Sequence, residues 1–140
     1  MMVSDPVSDL FTRIRNAAMR KNKILTVPST PISRGVAQIL FDYNVLDDLQ
    51  ESIELALQKN SPNTLYLSLA YGGGRARTPK LKNIQRLSRP GARKYCKSKR
   101  IPRATKGPSI LILSTSSGIM TGLQAQKQNL GGEALGYFTC

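Results

Sequence analysis

Between Arg75 and Lys106 the chain carries thirteen Lys and Arg residues and no acid. Cations at that density neutralise a row of phosphates or other closely spaced anions. Tyr95 lies inside the run, where its ring can stack on a planar partner. Two readings stay open for it: a stacking ring, or a core tyrosine with its hydroxyl satisfied. Further on, Ser114-Thr115-Ser116-Ser117 puts four short hydroxyl side chains in a row. They can reach hydrogen-bonding edges at close range, or Ser117 can cap a following helix, as can Thr121. These residues supply charge neutralisation, stacking and short hydrogen bonds. They do not supply acid–base catalysis: the chain has no His, and seven of its eight carboxylates lie outside the basic half.

The charge is strongly segregated. Residues 1–70 carry seven Lys/Arg and seven Asp/Glu, whereas residues 71–140 carry fourteen Lys/Arg and one acid, Glu133. The whole net charge of +13 therefore belongs to the second half. A solvated surface normally mixes both signs, so a field of one sign implies a polyanionic partner, and nucleic acid is the simplest one. Phosphate contacts position a protein without reading sequence, so specificity falls to Tyr95 and the hydroxyl cluster. Hydrophobic residues make up 40% of the 140, too many for a disordered basic tail. Cys96 and Cys140 lack metal-type spacing. No apolar run approaches the ~18–20 residues of a membrane span, and the N-terminus has no secretory apolar region. Asp5 and Asp9 argue against a transit peptide.

These residues need a scaffold. Asp5-Pro6 signals a helix start, and Val7, Leu10, Phe11, Ile14 and Ala18 then follow helical spacing. Arg13, Asn16 and Arg20 fall on another face. Ile24 to Pro28 predicts a short strand. Thr30 before Pro31 predicts a capped second helix with Ile32, Val36, Ile39, Leu40 and Tyr43 buried, its N-terminus a potential phosphate site. Leu46 to Leu57 fits either strand or helix. Leu65, Leu67, Leu69 and Tyr71 alternate as in a half-buried strand. Gly72-Gly73-Gly74 marks a linker or turn, since it lacks the spacing of a phosphate-binding loop. In the second half Leu81 to Leu87 is strand-like, Ser88-Arg89-Pro90-Gly91 is a turn, and Ile101-Pro102 and Gly107-Pro108 interrupt the chain. Ile110 to Leu113 predicts a strand buried on both faces. Thr121 to Gln128 predicts a short helix ended by Gly131-Gly132, and Glu133 to Thr139 a last strand.

Three blocks carry a family resemblance. Asp5-Pro6 with Thr12-Arg13-Ile14-Arg15-Asn16 resembles the opening of small-subunit ribosomal protein eight, bacterial or organellar type. Ile84-Gln85-Arg86-Leu87-Ser88-Arg89-Pro90-Gly91, with Arg93 and Tyr95, is similar to that family's central motif. Ser114 to Thr121, followed by Gly131-Gly132-Glu133, is similar to its C-terminal signature. The blocks occur in the family's order across almost the whole chain. The resemblance implies an α+β fold of two small domains: residues 1–71 with two helices on a short sheet, a glycine linker at 72–75, and a basic domain, 76–140, with a mostly antiparallel sheet and one short helix. It implies a primary binder of the central domain of small-subunit rRNA that helps assemble the platform. Ser114, Thr115 and Ser116 would enter the RNA minor groove, with Ser117, Tyr95 and Glu133 close by. Arg86, Arg89, Arg93, Lys94 and Lys97 would supply cations. Arg13, Asn16, Ser29 and Thr30 would touch a second rRNA segment. Neighbouring small-subunit proteins are implied partners, and no membrane, small-molecule substrate, metal or cofactor is expected. The ribosome would be that of an organelle, a plastid favoured, or of a bacterial cytoplasm. The sequence departs from the family at Gly122 and Gln126, where Asp and Arg are usual, and this predicts a weaker final helix.

The chief rival is a general basic DNA- or RNA-binding protein, although no helix-turn-helix, zinc-finger or basic-zipper pattern is present. A membrane-surface protein would need a large amphipathic apolar face beside the cations. An enzyme would need a nucleophile or general base that the sequence does not offer.

Overall fold

The computed structural model describes residues 6–51, 64–73, 78–88, 93–98 and 109–140. Asp5, the later part of the Leu46–Leu57 stretch, Gly74 to Arg77, the Arg89-Pro90-Gly91 turn and the segment 99–108 lie outside the described residues. The chain divides into two compact units, Thr12–Lys80 and Met1–Phe11 with Leu81–Cys140. The fold is α+β, with two helices and a small sheet in the first half and a larger antiparallel sheet with a short helix in the second.

The first helix, α1, spans Pro6–Met19. Proline suits its first turn because the N–H it lacks would have no helical partner there. Val7, Leu10, Phe11, Ile14, Ala17 and Ala18 are buried along it. Strand β1 (Ile24–Pro28) follows, then helix α2 (Pro31–Asp42). Thr30 and Ser33 form a reciprocal capping box at the start of α2. Strand β2 covers Leu46–Glu51, which settles the first part of the ambiguous stretch as strand, and β3 covers Thr64–Leu69. The sheet order is β1-β3-β2, all antiparallel. Leu65, Leu67 and Leu69 are buried as their alternation requires, and they form the sheet's inner face together with Leu25 and Val27. After β3 the chain opens into the glycine-bearing loop. Tyr71 and Pro79 form an isolated antiparallel bridge, and the Gly72 N–H donates to the Thr78 carbonyl at 2.7 Å.

The second-half sheet has five strands among the described residues. They are β4 (Asn83–Arg86), β5 (Tyr95–Cys96), β6 (Ser109–Thr115), β7 (Gly118–Thr121) and β8 (Gly132–Thr139). The order is β4-β8-β6-β7, with β5 also paired to β8. Helix α3 (Gly122–Lys127) follows β7. Ile110 is half-buried while Leu111, Ile112 and Leu113 are buried, so the sheet is covered on both faces as predicted. One face packs Leu111, Leu113 and Ala134 with Met120 and Ala125. The other carries the fully buried Ile84, Ile112 and Phe138. Thr121, not Ser117, caps α3, in a box with Gln124. That reciprocal pair satisfies the Thr121 and Gln124 N–H groups even though Gly122 contributes no side chain. Thr121→Ala is expected to cost about 1 kcal/mol in chemical denaturation, and Thr121→Ser much less.

Candidate nucleic-acid interface

The first strand pair that matters is β5 on β8. Only two residues long, β5 is held by more than its own ladder. Ser88 is fully buried, and its hydroxyl accepts the Lys94 N–H at 2.7 Å. The Ala134 N–H donates to the Lys94 carbonyl at 2.8 Å. The backbone of Lys94 is thus clamped on both sides, which presents the side chains of Arg93, Lys94, Tyr95 and Lys97 to solvent. Tyr95 is 72% exposed. Of its two readings the structure selects the exposed ring.

Tyr95 lies opposite Glu133 on β8, and Glu133 lies opposite Ser114 on β6. The three side chains therefore form one row across adjacent strands. Glu133 is only 13% exposed at its side chain and pairs with Arg93 at 3.3 Å. The close approach of the strands depends on glycine. A Cβ on Gly132 would lie 2.2 Å from the Ser114 carbonyl oxygen, and one on Gly131 would lie 2.6 Å from the Cys96 carbonyl oxygen.

Beyond Ser114 the chain turns sharply from β6 into β7, with Thr115 paired to Gly118. The Thr115 hydroxyl accepts the Ser117 N–H at 3.2 Å and donates to the Gly118 carbonyl at 2.9 Å. Gly118 has φ +110°, a conformation that side chains resist. Thr115 therefore holds the turn, while Ser116 and Ser117 project at its exposed tip.

Arg86 occupies a different position. Its Nη1 donates to the carbonyl of Leu135 at 2.6 Å, within the fold. Arg89 lies outside the described residues.

In the other unit, Arg13, Asn16 and Ala17 of α1, with Arg20 just after it, line an open groove of ≈ 370 Å³ together with Asn22, Ile24, Leu25 and Thr26. The β1 edge contributes backbone groups, and Arg13 Nη1 reaches the Thr26 carbonyl at 3.4 Å. Arg13 and Asn16 thus share one polar, basic groove. Ser29 and Thr30 have other partners: Thr30 caps α2, and the Ser29 hydroxyl accepts from Arg34 at 3.0 Å and donates to Glu51. Arg34 and Glu51 are themselves 3.4 Å apart. Among the described residues no cluster of metal-ligating side chains forms, and no helix is long and apolar enough to cross a membrane.

The sequence matches the family described as Ribosomal protein S8 over residues 5–138. The chain belongs to the ribosomal protein S8 family. It is similar to small ribosomal subunit protein uS8c of Trieres chinensis, 40% identical over 136 residues that cover 97% of this chain and 98% of that protein. It is likewise similar to small ribosomal subunit protein uS8 of Microcystis aeruginosa, at 41% identity over 137 residues and 98% of both chains. The uS8 protein of Clostridium kluyveri is 36% identical over 137 residues, again 98% of both.

For this S8-family chain the structure adds residues that sequence reasoning missed. By sequence Ser88 belongs to a turn and to the central motif; in the fold its burial anchors the basic strand. Its signal was a small hydroxyl residue directly after the strand-like Leu81 to Leu87. Gly131 and Gly132 were read as a helix end, whereas they also admit β5 and β6 against β8. Asn22 and Thr26 join Arg13, Asn16 and Arg20, which helical spacing already groups, only because β1 folds back beside α1, which no local spacing reveals.

Proposed function

We propose that this chain is a primary rRNA-binding protein of the small ribosomal subunit. Its basic C-terminal domain, residues 76–140, binds the central domain of small-subunit rRNA and helps organise the platform. The observation that carries the reading is the row Tyr95–Glu133–Ser114, flanked by exposed Arg93, Lys94 and Lys97 and by the Ser116-Ser117 tip. An A-form major groove is too deep and narrow for side chains, so a protein reads the shallow minor groove, 2′-OH groups and splayed bases. A short hydroxyl-bearing turn fits that groove, a neighbouring ring stacks on an unpaired base, and cations meet the phosphates. The α1/β1 groove, through Arg13 and Asn16, takes a second rRNA segment, which Ser29 and Thr30 before α2 also touch. The chain works in the ribosome of an organelle, a plastid favoured, or of a bacterial cytoplasm. It touches neighbouring small-subunit proteins and has no enzymatic role.

The test is binding of the purified protein to a short central-domain rRNA hairpin across a salt series, with a scrambled hairpin and duplex DNA as competitors. Selective binding that persists near physiological salt is expected. Equal binding to all three, collapsing with salt, would reduce the protein to a general basic nucleic-acid binder. Ser116→Ala is expected to weaken the cognate hairpin by about fivefold while sparing scrambled RNA, since one hydrogen bond is worth about 1 kcal/mol. Equal loss on both RNAs would leave the turn a structural role only.

A further inference from the structure

We propose that Arg86 is a positioning residue of the RNA site, acting through the Leu135 carbonyl and not on a phosphate. Its consequence for binding rests on the rRNA reading above; its geometry does not.

The ladder between β6 and β8 slips by one residue. Ile112 pairs with Gly136, but the next residue, Leu113, pairs with Ala134. Leu135 is left without a partner on β6, which is a β-bulge. Side chains alternate along a strand, so one extra residue reverses which face every later residue occupies. Ile110, Ile112 and Ser114 share a face of β6. Their partners on β8 are Phe138, Gly136 and Glu133. Without the bulge Glu133 would lie on the face of Tyr137, which packs with the Leu111–Leu113–Ala134 cluster. The bulge therefore turns Glu133 towards Ser114, and Tyr95 follows because it pairs with Glu133.

A bulged residue needs partners for its backbone, and here the end of β4 and the residue after it supply them. The Leu135 carbonyl accepts the Leu87 N–H at 3.1 Å and Arg86 Nη1 at 2.6 Å. Leu135 is buried, at 2% exposure, and without Arg86 its carbonyl would keep only the Leu87 N–H. A charged donor on a buried carbonyl is among the stronger hydrogen bonds a protein makes. The guanidinium thus locks the slip that assembles the row, from a strand that pairs with β8 as β5 does, with the Ser114 hydroxyl across β8 on β6.

The decisive variant is Arg86→Gln in the full chain, compared with wild type on the cognate hairpin and the scrambled hairpin over a salt series. The expected result is a roughly tenfold loss on the hairpin, little change on scrambled RNA, and an unchanged salt slope. An equal loss on both RNAs, with the slope reduced by about one, would make Arg86 a phosphate contact and overturn the proposal. If wild type shows no preference among RNAs, the rRNA reading falls, and the free protein decides the inference. NMR cross-strand contacts between Glu133 and Ser114 should be lost in Arg86→Gln; their retention would overturn it. If the variant does not fold, wild-type NMR decides. Guanidinium resonances of Arg86 that stay put when hairpin is added, with a protected Leu87 amide, support the proposal. Resonances that move onto the RNA overturn it.

Discussion

Gly132→Ala is expected to destabilise the protein by about 2–3 kcal/mol, a drop of roughly 5–10 °C in melting temperature. The added methyl would lie 2.2 Å from the Ser114 carbonyl oxygen, 2.9 Å from its carbonyl carbon and 3.1 Å from Thr115 Cγ2. The first two neighbours are backbone atoms in a paired ladder, so they cannot swing away as a flexible side chain would. Relief requires parting β6 from β8 where Ser114 faces Glu133. The variant should therefore also weaken the cognate hairpin beyond what its lost stability explains, because the Ser116-Ser117 tip moves with the end of β6. Gly73→Ala is the control: nothing lies within 4 Å of its Cβ, so a change within about 0.5 kcal/mol is expected. Thermal melting and hairpin titration of both variants check this. A Gly132→Ala protein that melts with wild type would mean that the two strands are less closely apposed than the structure has them.

Tyr95→Ala should do the opposite, leaving stability intact and damaging binding. At 72% exposure the ring contributes little to the core, so the melting temperature should move by no more than a surface substitution does. Stacking of one base on an aromatic ring is worth about 1–3 kcal/mol, so affinity for the cognate hairpin should fall roughly 5- to 100-fold. No charge is removed, so the slope of log affinity against log salt should not change. Tyr95→Phe should keep most of the affinity, because the ring face does the work and not the hydroxyl. Binding of Tyr95→Ala at wild-type strength would remove the ring from the interface. It would leave the exposed cations Arg93, Lys94 and Lys97, which flank β5, as the candidate contacts there.

Much of the fold is legible locally. The Ile24–Pro28 strand has the bounds its composition suggests, because a β-rich run bounded by polar and proline residues has few alternatives. The α2 cap is readable because Thr30 and Ser33 stand three residues apart and satisfy each other's neighbours. Thr121 and Gln124 repeat this at α3, so that helix forms where Gly122 replaces the usual acid. Strand β5 was not legible, since two residues show no period, and β7 was hidden inside the motif read as a hydroxyl cluster and helix cap. Arg86 illustrates a different limit. By type and neighbourhood it belongs with the other cations of the basic run, and only its reach to a carbonyl 49 residues away separates it from them.

The sequence by itself determined the segregation of charge, the class of partner, the family and the α+β character of the chain. Each of these depends on composition or on patterns within a few residues, where helix caps and alternating strands act. The tertiary structure alone decided which residues share a surface. Tyr95, Ser114 and Glu133 are scattered over 39 positions, and pairing register unites them. That register turns on one unpaired residue, Leu135. A slip of one reverses a strand's faces without changing its composition, so no reading along the chain can see it.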